Sequence, residues 1–157
     1  MNNYSLASLI ERGGVHYQIP GNNPQEILSR MMDRLPPIAG LDVQALLQAV
    51  LEREALMSTG VGKGVALPHP RSPMLKEDDE PFVALAFPDE PVDWNTPDSS
   101  KVRAVFLIVS CSAKQHLGTL SKINFLCQQE NFNTLIQTRA SQERIIAAIR
   151  DAECSWA

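Results

Sequence analysis

The sequence predicts an α/β fold in which helices cover both faces of a single central mixed β-sheet. Two runs, FVALAF (82–87) and VRAVFLIV (102–109), are apolar almost throughout, which is typical of strands that are buried on both faces. Around them lie segments whose apolar residues recur every three or four positions, as amphipathic helices require. Together these observations favour a layered arrangement of helices on a sheet.

The first half of the chain predicts one strand, two helices and a second, shorter strand. Apolar and polar residues alternate in GVHYQIP (14–20), as in a half-buried strand. Asn23 is a suitable helix cap because a proline follows it at the first helical position, and Pro36 ends this helix. Apolar spacing predicts a second helix from Asp42 to about Ala55, and Val65 to Leu67 fit a short strand.

The second half adds the two buried strands and three helices. Residues 91–94, between the strands, are compatible with a short strand or an extended turn. After Cys111 the pattern becomes helical, and one apolar face is expected to comprise Leu117, Leu120, Ile123 and Cys127. Asn131 and Ser141 are suitable caps for two further helices. Three aromatic side chains, Trp94, Phe125 and Phe132, fit either the core or an interface, and we expect them in the core.

Length and charge limit the classes of function. The 157 residues are enough for one domain spanning 1–157, with a core that needs no disulfide or metal to hold it. The formal net charge is −4 and the isoelectric point is near 5.3. Non-specific binding of nucleic acid requires a basic surface, so the sequence argues against a nucleic-acid partner.

No segment predicts direct membrane insertion or export. The longest apolar run, residues 104–109, is far shorter than the ~20 residues that span a bilayer. Residues 1–14 lack the basic start and the apolar stretch of a secretory signal. The cysteines at 111, 127 and 154 are odd in number and have no C-x-x-C spacing, so we expect reduced thiols in a cytoplasmic protein.

Two of the three histidines are candidates for chemistry. His69 lies between two prolines after the short strand, and their fixed φ angles give the imidazole a stiff mount. A histidine on a surface loop is an equally good interpretation. His116 follows the second buried strand at a helix start, where the helix dipole disfavours the charged ring. His16, on the polar side of the first strand, is expected to be exposed.

The positions of His69 and His116 predict that the two rings meet if their strands are parallel. Ligand sites in open α/β sheets lie beyond the carboxyl ends of the strands, and each of these histidines directly follows a predicted strand. Taken together, the two residues are therefore better candidates than either is alone.

The glycine-rich segment Gly60–Gly64 fits neither common phosphate-binding motif. It lacks the spacer and the Ser/Thr of a Walker A loop, and a helix precedes it where a dinucleotide fingerprint requires a strand. Its glycines still allow close backbone approach to a ligand. Arg53, Lys63 and Arg71 are candidates to meet a phosphoryl group, although each alone is better explained as a solvated surface charge.

Other site chemistries receive little support from the sequence. The histidines are not at metal-ligand spacing and no carboxylate cluster lies near His69, so no metal site is predicted. Cys111 and His116 form a conceivable cysteine–histidine nucleophile pair. A cysteine that closes an apolar strand is, however, more often a small core residue.

The segment REALMSTGVGKGVALPHPRSP (53–73) resembles the active-site signature of enzyme IIA domains of the phosphoenolpyruvate-dependent sugar phosphotransferase system, of the mannitol, fructose and nitrogen-regulatory type. In that family a helix ending in Arg-Glu leads through Ser-Thr-Gly and a glycine-rich turn to apolar-Ala-apolar-Pro-His. A second landmark, a His-Leu-x-x-Leu helix start after a buried strand, is matched at residues 116–120. The other elements agree in order and spacing, so the resemblance covers nearly the whole chain.

The resemblance implies a phosphohistidine carrier that needs neither a metal nor an organic cofactor. His69 would accept a phosphoryl group from phosphorylated HPr and pass it to an enzyme IIB partner in sugar uptake. His116 would donate a hydrogen bond to the phosphoryl oxygens, and Arg53 would stabilise the added charge. A neutral imidazole, with an ordinary pKa of about 6.5, can attack phosphorus near neutral pH, and phosphoryl transfer depends chiefly on positioning and charge stabilisation.

The sequence departs from the family pattern directly after His69. Pro70 and Arg71 stand where the family commonly has glycine or another small residue first. Pro70 removes a backbone N–H that would otherwise be able to face the phosphoryl group, and Arg71 adds a charge that could replace it or serve partner docking. The alternative function is that of a nitrogen-regulatory module, in which phosphorylation of the same histidine controls binding to other proteins.

Overall fold

The computed structural model describes residues 4–156, which form one mixed sheet with helices on both faces, as predicted. The helices are α1 (Leu6–Gly13), α2 (Pro24–Arg34), α3 (Val43–Leu56), α4 (Ala113–Gln128), α5 (Glu130–Gln137) and α6 (Gln142–Ser155). The strands are β1 (Val15–Ile19), β2 (Gly60–Gly62), β3 (Val65–Ala66), β4 (Phe82–Pro88) and β5 (Ala104–Val109).

The order of strands across the sheet is β1-β4-β5-β3-β2. β1 is parallel to β4 and β3 is parallel to β5, whereas β4 and β5, like β2 and β3, are antiparallel. Strands β3 and β5 are therefore adjacent and end at the same edge of the sheet. This is the geometry that the pairing of His69 with His116 requires.

Successive residues of the two central strands alternate between two apolar layers. Along β5, Phe106 and Ile108 pack beneath α1, α4, α5 and α6, whereas Val105 and Leu107 face α2 and α3. All residues of β4 and β5 are buried, as their continuous apolar sequences predicted. Burial of each large apolar side chain contributes roughly 1.5–3 kcal/mol to the free energy of folding. These two strands therefore form the centre of the hydrophobic core.

Several predicted helix starts are confirmed by side-chain caps. Asn23 accepts a hydrogen bond from the backbone N–H of Glu26, at 2.8 Å. Asp42 and Ser141 accept equivalent bonds at the starts of α3 and α6. Each cap satisfies an amide that has no partner within its own helix.

Two elements were absent from the sequence prediction. Helix α1 begins after Ser5, whose hydroxyl accepts from the N–H of Ser8 at 3.1 Å, and it ends against β4. A Cβ on Gly13 would lie 2.1 Å from the carbonyl oxygen of Val83, so only glycine permits this close approach. Strand β2 lies within the glycine-rich segment and pairs with β3 as a hairpin.

Some predicted burial and boundaries were wrong. Leu117 is 61% exposed and Phe125 51% exposed, although Trp94 and Phe132 lie in the core as expected. The buried face of α4 contains Thr119 and Ile123, and Leu117 lies about 200° around the helix from Thr119. Residues 91–94 make one bridge to Val102 and are otherwise an extended turn.

Asn131 does not cap α5, because that helix starts at Glu130, two residues before the start that a cap at Asn131 would give. Gln129 is the cap residue, without a side-chain hydrogen bond. Its carbonyl already accepts from the N–H of Asn133, at 2.9 Å. Asn131 therefore lies inside the first turn.

Candidate active site

The ladder between β3 and β5 continues past the formal end of β3 and fixes the backbone that leads to the first histidine. The carbonyl of Pro68 accepts from the N–H of Ile108, at 3.0 Å, and the N–H of Leu67 donates to Thr59 on the other side, also at 3.0 Å. His69 thus directly follows a segment whose backbone is hydrogen-bonded to neighbouring segments on both sides. Pro68 and Pro70, both buried, restrict the backbone on either side.

The ring of His69 is held in one orientation by its own chain. Its Nδ1 lies 2.8 Å from the carbonyl oxygen of Leu67. A carbonyl oxygen only accepts hydrogen bonds, so Nδ1 carries the proton in the neutral ring. The lone pair of the neutral imidazole is therefore on Nε2, the nitrogen at the far side of the ring.

His116 lies beside His69, in the first turns of α4. The ring centroids are 4.4 Å apart and the planes are tilted by 46°. The backbone N–H of His116 donates to the carbonyl of Ser112, at 3.0 Å, which places the residue in the first turn of the helix. Among residues 4–156, neither ring nitrogen of His116 has a hydrogen-bond partner, so the side chain is available to a ligand.

Arg53 brings a positive charge to the two rings from the last turn of α3. Its Nη1 donates to the carbonyl of Met57, at 2.6 Å, which folds the side chain back over the helix end. Its charge contributes to lowering the pKa of both His69 and His116. The structure therefore brings together all three residues that the sequence singled out for the site.

Glu54, the neighbour of Arg53, has a role that the sequence analysis missed. Its carboxylate accepts hydrogen bonds from the backbone N–H of Thr59, at 2.8 Å, and from the hydroxyl of the same residue, at 2.5 Å. Because Thr59 also bonds to Leu67, Glu54 couples the end of α3 to the strand that carries His69. Only the Arg-Glu pair itself, adjacent in the motif, was a signal in the sequence.

Both histidines are biased toward the neutral form. Burial is the main cause that lowers the pKa of His69, and Arg53 acts in the same direction. The Leu67 hydrogen bond and the charge of Glu54 oppose it. Burial also lowers the pKa of His116, followed by the charges of His69 and Arg53. A neutral ring keeps its lone pair for attack on an electrophile.

The remaining candidate residues, Lys63 and Arg71, and the third histidine, His16, differ in where they lie. Lys63 lies in the turn before β3, at the opposite edge of the sheet, where its carbonyl accepts from Gln137 at 3.1 Å. Arg71 is exposed beside His116. His16 is half-buried rather than exposed, because its Nε2 lies 2.9 Å from the carbonyl oxygen of Gly13.

Cys111 is poorly suited to nucleophilic chemistry. Its thiol donates to the carbonyl of Asp79, at 3.2 Å. Burial raises the pKa of Cys111, and the charge of Asp79 raises it further, so the reactive thiolate is disfavoured. The three cysteines are free thiols.

The described part of the chain contains neither a candidate metal cluster nor a candidate membrane-spanning helix. Within residues 4–156, no three His, Cys, Asp or Glu side chains come together as a potential metal site. None of the helices described above combines the length and the apolar character that crossing a bilayer would require.

Comparison with known proteins identifies the family. The family model described as the phosphoenolpyruvate-dependent sugar phosphotransferase system, EIIA 2, matches residues 8–152. A nitrogen regulatory protein of Klebsiella oxytoca is 30% identical over 150 residues, which are 94% of this chain and 91% of that protein. A fructose-specific EIIABC component of Bacillus subtilis is 26% identical over 147 residues, 92% of this chain, but the chain spans only 23% of that protein.

Solved structures agree on the fold. The nitrogen regulatory protein IIA-Ntr of Neisseria meningitidis superposes with a TM-score of 0.79 at 23% identity, covering 91% of this chain and 97% of that one. Enzyme IIA in its complex with phosphorylated enzyme IIB, both mannitol proteins of Escherichia coli, gives 0.68 at 15% identity, covering 87% and 94%. On the match to residues 8–152, the chain belongs to the EIIA type 2 family of the phosphoenolpyruvate-dependent sugar phosphotransferase system.

Proposed function

We propose that residues 1–157 form a single EIIA-type domain that carries a phosphoryl group on His69. The group arrives from phosphorylated HPr and leaves to an enzyme IIB partner in sugar uptake. The observation that carries this proposal is the hydrogen bond from Nδ1 of His69 to Leu67, at 2.8 Å. It leaves Nε2 as the nucleophile and fixes its direction before any partner arrives.

The chemistry is a direct exchange of one N–P bond for another. The lone pair on Nε2 of His69 attacks phosphorus, and the bond between phosphorus and the donor imidazole breaks with its electron pair returning to that ring. No base has to remove a proton, because the attacking nitrogen carries none. In the second transfer, a deprotonated nucleophilic side chain of enzyme IIB attacks phosphorus, and the N–P bond to His69 breaks with its electron pair returning to Nε2.

Arg53 and His116 supply the charge stabilisation that this exchange needs. The guanidinium of Arg53 is a permanent cation, and the ring of His116, 4.4 Å from that of His69, has an N–H to donate to a phosphoryl oxygen. When the phosphoryl group adds negative charge beside His116, it favours protonation of that ring. The carrier is thereby stabilised most when it is loaded.

Exposed apolar side chains near the site favour a protein as the phosphoryl donor. Leu56 and Met57 lie at the end of α3 beside Arg53, and Leu117 follows His116; all three are more than half exposed. Such residues around a small polar centre are typical of transient protein interfaces. The solved complex of the related mannitol enzyme IIA with phosphorylated enzyme IIB supports a partner of this kind.

A regulatory role is the second candidate, supported by the relatives of similar length. A nitrogen regulatory protein of Bradyrhizobium diazoefficiens is 26% identical over 130 residues, which are 82% of this chain and 83% of that protein. In this alternative, His69 is loaded by the same chemistry, but its phosphorylation state changes binding to a target protein instead of feeding a permease.

Phosphorylation by the purified upstream proteins tests the carrier function. The chain is incubated with phosphoenolpyruvate, enzyme I and HPr, and intact mass is measured. We expect an acid-labile, alkali-stable adduct of about 80 Da, the mass of one phosphoryl group, and its complete loss in His69→Ala. Subsequent addition of enzyme IIB domains, with loss of the adduct, identifies a carrier; retention of the adduct favours the regulatory alternative.

The matched control is His16→Ala, which removes the half-buried histidine of β1 that lies outside the proposed site. This variant is expected to be labelled like the unmodified protein. Normal labelling of His69→Ala, with a folded circular dichroism spectrum, would overturn the assignment of His69 as acceptor.

A further inference from the structure

Two consecutive residues at the end of α3 hold the segment that leads into β2. Arg53 donates to the carbonyl of Met57, at 2.6 Å. The carboxylate of Glu54 accepts from the backbone N–H of Thr59 at 2.8 Å and from its hydroxyl at 2.5 Å. Thr59 is only 5% exposed, so these two hydrogen bonds are largely shielded from water. Arg53 has a part in the proposed transfer of the phosphoryl group, whereas Glu54 has none so far.

A carboxylate is an unfavourable group at this position of a helix. Glu54 lies in the last turn of α3, and the carboxyl end of a helix carries partial negative charge that repels an anionic side chain. The charge of Glu54 also raises the pKa of His69, which favours the protonated ring and so opposes nucleophilic attack. Neither effect favours a carboxylate at position 54, so its contribution lies in its hydrogen bonds to Thr59.

A series of hydrogen bonds joins Glu54 to the ring of His69. Glu54 holds Thr59 through both its N–H and its hydroxyl. The carbonyl of Thr59 accepts from the N–H of Leu67, at 3.0 Å. The carbonyl of Leu67 in turn lies 2.8 Å from Nδ1 of His69. The end of α3 is therefore connected to the nitrogen whose proton fixes the tautomer of the ring.

The carbonyl of Leu67 is held from two sides, and Glu54 acts on only one of them. The N–H of Leu67 is bonded to Thr59, and the next carbonyl along the chain, that of Pro68, accepts from Ile108 of β5 at 3.0 Å. Loss of Glu54 is therefore expected to loosen the Leu67 carbonyl without releasing it. Such a change is enough to slow a reaction, because a misplacement of about 1 Å can cost about 10²-fold in rate.

We propose that Glu54 is a positioning residue for the phosphoryl transfer at His69. Its bonds to Thr59 hold the carbonyl of Leu67 at the place where that oxygen keeps the ring proton on Nδ1. The lone pair on Nε2 is thereby aimed before a donor docks. A ring with its proton on Nε2 has no lone pair there to attack phosphorus, so every molecule in that tautomer is lost to the reaction. This inference rests on the proposed function of His69 as the phosphoryl acceptor.

Nuclear magnetic resonance of the ring nitrogens tests the positioning step without any phosphoryl donor. Uniformly ¹⁵N-labelled protein is measured at about pH 8, above the ordinary histidine pKa of about 6.5, and His69→Ala identifies the signals of that ring. The unmodified protein is expected to carry the proton mainly on Nδ1. Glu54→Ala is expected to shift the population toward the tautomer with the proton on Nε2. Glu52→Ala, which removes an exposed carboxylate of the same helix, is the matched control and should leave the tautomer unchanged.

Labelling by phosphorylated HPr tests the effect on rate. Glu54→Ala is expected to lower the rate constant at saturating donor about tenfold, with KM for the donor changed less than about twofold, because the acceptor is misaimed while the docking surface stays in place. Glu54→Gln should recover most of the rate, because its amide oxygen still accepts from the N–H of Thr59 and its NH₂ group can donate to the hydroxyl. A merely structural role predicts a lower melting temperature with an unchanged tautomer and an unchanged rate.

The two measurements separate this inference from the proposed function. An unchanged tautomer in Glu54→Ala, or a Glu54→Gln variant as slow as Glu54→Ala, would overturn positioning by these hydrogen bonds. Should Glu54→Ala fail to fold, Thr59→Val removes the hydroxyl and keeps the N–H; a smaller tautomer shift in the same direction is expected, and none would overturn the proposal. Failure of labelling in the unmodified protein would overturn the proposed function, whereas the tautomer shift would still show that Glu54 orients the ring.

Discussion

The polar side chains at the two ends of the parallel strands β3 and β5 differ in whether they have hydrogen-bond partners. At the amino ends, in the turns before the strands, the carboxylate of Asp98 accepts hydrogen bonds from the backbone of Lys63 at 2.9 Å and from the hydroxyl of Ser100 at 2.6 Å. At the carboxyl ends, the ring of His116 and the hydroxyl of Ser110 have no hydrogen-bond partner among residues 4–156.

The difference separates a polar cluster that is internally hydrogen-bonded from the site that we propose to be functional. Several hydrogen bonds hold the pKa of Asp98 well below its usual range, and the bond from the Ser100 hydroxyl has the largest effect. That cluster satisfies itself and fixes two turns. At the histidine end, the ring of His116 has no hydrogen-bond partner among residues 4–156 and is partly exposed, so it stays accessible to a transferred group.

The largest effect is expected from removing the charge at the histidine end. Arg53→Gln should slow labelling of His69 by phosphorylated HPr roughly 10²–10³-fold, the range seen when one preorganised stabilising group is lost from a transition state. The measurement is a rapid-quench time course of labelling at saturating donor. Arg103→Gln, an exposed arginine at the amino end of β5, is the control. Equal rates in the two variants would contradict the role of Arg53.

The lowered pKa values of the two histidines predict how labelling of His69 depends on pH. Because the pKa values of His69 and His116 are lowered, each ring keeps more of its neutral form in mild acid than an ordinary histidine with a pKa of about 6.5. Labelling should therefore decline at a lower pH than the titration of an ordinary histidine, and by about tenfold for each pH unit once the pH is below the lowered pKa of His69.

The same shifts affect folding with a definite sign. Below about pH 6.5 the unfolded chain binds protons at these two positions more readily than the folded protein. The free energy of unfolding should therefore decrease as the pH falls through this window, and urea titrations at several pH values measure it. Arg53→Gln should raise the pKa of His69, observed through its ring C–H resonances. A pKa that stays fixed in this variant would separate Arg53 from the site.

The smallest effect on function is expected at the amino end. Asp98→Asn weakens the acceptor of several hydrogen bonds and should lower the melting temperature above about pH 4, where the carboxylate is ionised. Labelling of His69 should be unchanged. Asp33→Asn, an exposed aspartate on α2, is the matched control. A labelling defect in Asp98→Asn at full folding would show that the two ends are coupled.

Much of the fold could be predicted because the signals are local. Continuous apolar runs identified β4 and β5, and caps such as Asn23 located helix starts within a residue or two. The parallel pairing of β3 with β5 was stated only as a condition, since no local pattern specifies which strands become neighbours. The proximity of His69 and His116 depended on that pairing.

The errors have two sources: a local signal that was overlooked, and contacts that are remote in sequence. Helix α1 carries apolar residues at helical spacing, Leu6, Leu9 and Ile10, all buried, and this signal was overlooked. Leu117 is apolar but points away from the core because the register of α4 is set by Thr119 and Ile123. The open hydroxyl of Ser110 was not predictable, since an unpaired donor is recognised only once its surroundings are known.

Glu153 in α6 joins two distant segments of the described chain. Its carboxylate accepts hydrogen bonds from the backbone N–H groups of Leu6 and Ala7, at 2.8 and 3.0 Å, and it pairs with Lys122 at 3.5 Å. Helix α1 thus obtains its anionic partner from a residue that a ribosome adds 146 positions after Ala7. During synthesis, the first N–H groups of α1 lack this acceptor until α6 has emerged, so the helix can pack on β4 before its amino end is capped by Glu153.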